Sequence, residues 1–221
     1  QELIIKGAPE IILEKCSKYF DEFGYSRPLI NKIKLLSKID ALTGIGNRVI
    51  ACAIGENSKS INDVNNLTFV CLISIHDDIK ENMADVINKL NKASINTVMI
   101  TGDNKNTALT IGQKIGLVTD KYSVITSDDL NKMSDEELYD KITDIKIVAR
   151  ALPSDKSRLV KMAKKRGFVV GMTGDGINDA PALKLADVGF AMGSGVEIAK
   201  EAADIVILDN NLSSIATSVL Y

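Results

Sequence analysis

The chain has 221 residues, 45% hydrophobic and 25% charged, with a formal net charge of −2 and a pI near 5.6. That balance excludes a disordered polar chain and supplies no basic footprint for nucleic acid or anionic lipid. Its longest apolar run, Phe69 to Ile75, is far short of the roughly 20 residues that span a bilayer.

Gln1 and Glu2 open directly into the strand-like Leu3-Ile4-Ile5, with no signal peptide and no initiating Met, as expected of a piece of a longer chain. Leu3–Lys6 reads as a strand, and Pro9–Lys18 as a helix with Pro in its first turn. Phe20–Pro28 is turn-rich. Leu29–Leu42 has apolar residues near helical period and ends at Gly44 and Gly46, Arg48–Gly55 is a dense apolar strand, and Ser58–Asn66 a polar loop. Cys16, Cys52 and Cys71 lack CxxC spacing and read as free thiols of a reducing compartment, Cys52 and Cys71 as small buried hydrophobes within apolar runs.

From Leu67 strands and helices alternate. Strands are expected at 67–75, 97–101, 145–149, 168–173, 188–191 and 205–208. Helices are expected from Met83 through Leu90, up to Ile115, and over 155–165, 178–185 and 196–202. Apolar strands separated by helices of about ten residues argue a parallel, Rossmann-like sheet with helices on both faces. Right-handed crossovers then gather the C-terminal ends of the strands at one edge, where ligands bind. Two domains are expected, 1–75 and 76–221.

Two strands end alike, in Thr101-Gly102-Asp103 and Thr173-Gly174-Asp175. Glycine lets backbone approach a phosphate, hydroxyl and N–H groups donate to its oxygens, and carboxylates hold Mg²⁺. One copy is as well read as a turn with a helix cap; two in one sheet point to a site. Asp175 and Asp179 are four apart across a strand-to-helix turn and can face one Mg²⁺. Lys156 falls in a first helical turn at the same edge, where an ammonium neutralises phosphoryl charge. His76, the only histidine, is assigned no role.

These elements are the later signatures of haloacid-dehalogenase-type phosphotransferases. Together with Lys6-Gly7-Ala8-Pro9-Glu10, the run Gly174 to Lys184, and the tail segments Ala186–Gly193 and Glu197–Leu208, the chain resembles cation-transporting P-type ATPases of the calcium-type branch. The resemblance covers essentially the whole chain in family order. It implies part of an α+β nucleotide-binding domain followed by a phosphorylation domain, at the cytoplasmic face of a membrane. ATP and Mg²⁺ would be cofactors, and the transmembrane and actuator domains of a parent pump its partners. It also implies roles. Lys6 would border the adenine, Arg48 would reach the nucleotide phosphates, and Asp103 and Arg150 would lie near the ribose. Thr101 and Gly102 would hold the transferred phosphoryl group and Lys156 would neutralise it. Asn178 would bond a phosphoryl oxygen, Asp175 would bind Mg²⁺, and Asp179 would support Lys156 and the metal shell.

The family's nucleophile lies in Asp-Lys-Thr-Gly-Thr on a central strand, and this sequence contains no such motif. The chain is therefore expected to lack that strand, to be inactive alone, and to expose unpaired edges. The family's Asp-Pro-Pro-Arg junction stands here as Asp77-Asp78-Ile79-Lys80, so a looser hinge is expected without the prolines. Two alternatives stay open: a stand-alone phosphatase of the same superfamily, and a non-catalytic nucleotide-binding or regulatory module.

Overall fold

The computed structural model describes residues 2–56, 65–76 and 79–220. Most of the expected loop 58–66 lies outside the described residues, as do Asp77 and Asp78 of the junction. The chain divides into two compact units, Gln1–Asp78 and Ile79–Tyr221.

The first unit runs β1 (Glu2–Gly7), α1 (Pro9–Lys15), β2 (Cys16–Phe20), β3 (Ser26–Pro28), α2 (Lys32–Gly44), β4 (Arg48–Glu56) and β5 (Leu67–Ile75). Its strands form one sheet in the order β1-β4-β5-β2-β3, antiparallel except for the β2–β5 pair. Alternation along β4 sends Val49, Ala51 and Ala53 to one face, where they pack with Ile12, Leu13, Ile39, Leu67 and Phe69. The other face carries no helix from the described residues and leaves Ile4, Ile73 and Ile75 exposed.

One expectation is corrected here. The helix from Pro9 stops at Lys15, because Cys16 and Lys18 pair with Leu67 and Thr68 of β5, and ladder hydrogen bonds replace helical ones. The turn-rich 20–28 segment holds a hairpin, in which the Asp21 carboxylate accepts the N–H groups of Phe23 and Tyr25 at 3.1 and 2.8 Å. Cysteine burial also differs: Cys16 is buried, but Cys71 is exposed, since it faces Cys52 across the sheet face that lacks a helix.

The second unit continues with α3 (Met83–Lys92), β6 (Met99–Ile100), α4 (Lys105–Lys114), β7 (Val124–Thr126), α5 (Ser127–Lys132), α6 (Asp135–Lys141) and β8 (Ile147–Ala149). Then come α7 (Pro153–Lys165), β9 (Gly171–Gly174), a single 3₁₀ turn at Ile177–Asp179, and α8 (Ala180–Leu185). The unit closes with β10 (Val188–Met192), α9 (Glu197–Ala202), β11 (Ile205–Ile207) and α10 (Leu212–Leu220). All its strand pairs are parallel, in two three-stranded sheets ordered β6-β8-β7 and β11-β10-β9.

Helices cover both faces, as β8 shows. Ile147 and Ala149 pack with Ile87 of α3 and Ala108 of α4, while Val148 between them packs with Leu130, Leu138 and Leu159 of α5, α6 and α7. The two sheets share helices. Helix α7 gives Leu159 and Met162 to the core of the first and Val160 to that of the second; α10 gives Leu212 and Ile215 likewise.

Strands β6 and β9, which lead into the two Thr-Gly-Asp segments, each pair with one neighbour among the described residues. Strand β9 begins three residues later than expected, and Phe168 and Val169 before it are exposed at 46% and 85%. The elements β7, α5, α6 and α10 were not expected; β7, α5 and α6 are too short to show a period.

Candidate functional site

The loop after β6 is shaped by its own side chains. Thr101 Oγ1 donates to Asp103 Oδ2 at 2.9 Å and accepts the Asp103 N–H at 3.1 Å. Asn104 then caps α4 by accepting the Thr107 N–H at 2.9 Å. The loop after β8 is zipped to it, Arg150 N–H donating to the Asp103 carbonyl and Ala151 N–H to the Thr101 carbonyl, at 2.8 and 2.9 Å. Arg150 takes a left-handed φ of 54° to make that join. Gly102 is exposed, and a Cβ built there would meet nothing within 4 Å. Packing within the chain therefore gives no reason for glycine at 102; the space beside its backbone is open.

Directly after Ala151, α7 starts at Pro153, and its first turn presents Lys156, whose ammonium is hydrogen-bonded to Asp179 Oδ1. The other oxygen of Asp179 accepts the N–H groups of Asp175 and Gly176, each at 3.1 Å. Burial pushes the Asp179 carboxyl upward, but the Lys156 ammonium and the two backbone donors outweigh it and hold it below the usual range. Asp179 thus organises the turn after β9 with both oxygens engaged, and Asp175 is the exposed carboxylate of the pair. Among the described residues no three His, Cys, Asp or Glu side chains form a metal-holding group. A site built from one or two carboxylates plus phosphate and water suits Mg²⁺, so this donor set fits that ion.

Glycines set the spacing here. A Cβ on Gly174 would lie 2.4 Å from the Asp179 Cβ, so no other residue lets that side chain fold back over β9. A Cβ on Gly195 would come within 2.9 Å of the Asp175 carbonyl oxygen, and the next N–H, of Val196, donates to that oxygen at 2.9 Å. The β10–α9 loop thereby fixes the Asp175 backbone. Nothing in the sequence reading pointed to Gly195 or Val196.

The second unit brings together Thr101, Asp103 and Arg150 in one group and Lys156, Asp175 and Asp179 in another, joined through Ala151 and the start of α7. Asn178 and the exposed Ile177 lie on the 3₁₀ turn beside them. Lys6 and Arg48 belong to the first unit. Lys6 pairs with Cys52 of β4, four residues from Arg48, which places both exposed cations on the helix-free sheet face. At about 3.3 Å per residue they are separated by about 13 Å along the sheet.

An open parallel α/β unit, with an ammonium–carboxylate centre and glycine turns at the C-terminal ends of its strands, is the form of a phosphate-handling hydrolase. Comparison with known families agrees: residues 8–187 match the haloacid dehalogenase-like hydrolases, as do residues 157–219 in a second pattern of the same description. The chain belongs to the haloacid dehalogenase-like hydrolases. Among individual proteins it is 38% identical to calcium-transporting ATPase 1 of Saccharomyces cerevisiae over 97% of the chain and 24% of that protein. It is 37% identical to a calcium-transporting ATPase of Listeria monocytogenes, over 98% of the chain and 25% of that protein. A calcium-transporting ATPase of Bacillus cereus is 38% identical over 97% and 25%. The chain spans about a quarter of the length of these relatives. No helix among the described residues is long and apolar enough to cross a membrane.

Proposed function

We propose that the chain is a cytosolic portion of a cation pump, of the calcium-transporting kind, that hydrolyses ATP through an aspartyl phosphate. The observation that carries this is the Lys156–Asp179 pair set beside the exposed Asp175, in a chain similar over nearly its whole length to calcium-transporting ATPases.

In such chemistry the protein mainly positions groups and stabilises charge. Lys156 keeps donors beyond the one given to Asp179 and would neutralise phosphoryl oxygens. The open space at Gly102 would admit a phosphoryl oxygen to the backbone, with Thr101 turning its hydroxyl from Asp103 toward it and Asn178 bonding another oxygen. Asp175 would hold Mg²⁺ with Asp179 behind it; the ion, when bound, offsets phosphate charge. Asp103 and Arg150 would face a ribose. Lys6 would border an adenine pocket and Arg48 reach nucleotide phosphates.

The sequence holds no Asp-Lys-Thr-Gly-Thr, so the nucleophile would come from a strand upstream in the parent. The single-neighbour edges of β6 and β9, with Gly171 and Thr173 exposed, would accept such a strand by parallel pairing. The remaining partners would be the transmembrane and actuator domains of the pump, with this portion at the cytoplasmic face of the membrane.

Transfer of radioactive γ-phosphate from ATP with Mg²⁺ tests this, in the chain alone and in one extended upstream through the missing motif. Acid-stable, hydroxylamine-sensitive label on the extended chain only is the expected result. Label on the short chain would place the nucleophile among these 221 residues and overturn the proposal. If neither takes label, a nucleotide-binding module without catalysis is the better reading.

A further inference from the structure

One carboxylate near the site is buried and has no part in the roles above. Asp155 is 1% exposed, one residue before Lys156. Helix α7 needs it locally: the N-cap position falls on Leu152, whose side chain cannot accept a hydrogen bond. Asp155 Oδ2 turns back to accept the Leu152 N–H at 2.8 Å, while the Asp155 N–H donates to the Leu152 carbonyl at 3.0 Å.

Capping alone would not require burial, since an exposed Ser or Asn at the cap serves as well at no desolvation cost. The same Oδ2 also accepts the hydroxyl of Ser127 at 2.6 Å. Ser127, itself 5% exposed, opens α5, and its oxygen accepts from Asn131 Nδ2 at 3.2 Å. A buried carboxylate therefore ties the first turn of α7 to the first turn of α5. The next residue along that turn reaches Asp179.

We propose that Asp155 is a positioning residue, which fixes the first turn of α7 through Leu152 and Ser127 so that the Lys156 ammonium is held against Asp179. Its bearing on phosphoryl transfer rests on the function proposed above; its hold on Lys156 does not. A side chain ending in a flexible ammonium loses precision unless its Cα is fixed, and the buried Asp155 fixes it from inside the fold.

The test reads Lys156 directly. In nitrogen-15-labelled chain at mildly acidic pH, the Lys156 ammonium resonance is assigned by its loss in Lys156→Met. Asp155→Ala should move it to the position of solvated lysines, while Lys164, paired with Asp187 at 2.9 Å, stays as an internal control. Asp155→Asn keeps an acceptor for the Leu152 N–H and should restore most of the shift. Ser127→Ala, which leaves the cap intact, should give a partial shift and guards against an unfolded Asp155→Ala. In the chain extended upstream through the missing motif, Mg²⁺-dependent affinity for orthovanadate should fall about tenfold in Asp155→Ala, the scale of one charge-assisted hydrogen bond. An unmoved Lys156 resonance in folded Asp155→Ala and Ser127→Ala chains overturns the inference. Failure of the unsubstituted extended chain to bind vanadate would overturn the phosphoryl-site reading and, with it, Asp155's part in that chemistry.

Discussion

Glycines 102 and 174 carry the same letters in the same motif, yet the surrounding atoms give them different reasons to exist. At Gly174 a Cβ would collide with Asp179 at 2.4 Å, so alanine there must push the carboxylate off Lys156. Gly174→Ala should cost about 1–3 kcal/mol in urea unfolding. At Gly102 a Cβ meets nothing within 4 Å, so Gly102→Ala should leave stability within about 0.5 kcal/mol yet weaken vanadate binding by the extended chain. Equal destabilisation by the two substitutions would remove the distinction. Thr101, Asp103, Lys156, Asp175 and Asp179 could be picked out from the sequence because two Thr-Gly-Asp strand ends and a first-turn lysine share one sheet edge, where a single copy would read as a turn and cap. Asp155 and Gly195 could not: one acts through a burial that the sequence does not show, the other through a backbone contact with a residue 20 positions away.

At the scale of elements, the Lys156–Asp179 contact clasps the start of α7 to the turn that follows β9. The Asp179 carboxyl is held below its ordinary value of 3.8, so the clasp is at full strength above that value. As pH falls through the lowered native value, protonation removes its contribution. The stability difference between the parent chain and Asp179→Asn, from urea unfolding at a series of pH values, should be constant from pH 7 to about 5 and shrink below about 4. A difference independent of pH down to 2.5 would show that Asp179 carries no net ionic stabilisation. Long apolar elements such as β5 were legible to the residue. The six-residue α5 and seven-residue α6 were not, although each opens on a capping box, Thr126 with Asp129 and Ser134 with Glu137. In short helices the caps carry the signal, because too few turns exist for a period to emerge.

For the whole molecule, each unit has its own core, Leu13 with Leu67 and Ala53 in the first and the layers around β8 and β10 in the second. The first unit is small and leaves one sheet face without a helix among the described residues, so it buries less apolar surface per residue. Scanning calorimetry should therefore resolve two transitions, the lower one from the first unit. Leu13→Ala, at a position 2% exposed, should lower that transition alone, with a cost of about 2–5 kcal/mol. A single transition that shifts as one with this substitution would mean that the units unfold cooperatively.

By itself the sequence determined the alternation of strands and helices, the two Thr-Gly-Asp strand ends, and the candidate groups gathered there. Those are local properties, set by hydrophobic period and by the few residue types that suit a phosphate. Tertiary structure decided the rest. It split the parallel strands into two three-stranded sheets, because hydrogen-bonded neighbours are chosen by the whole chain. Cys16–Phe20 became a strand because β5 was there to pair with it. It also turned Asp179 onto Lys156 and buried Asp155 between two helix starts, since charges settle where distant elements supply donors.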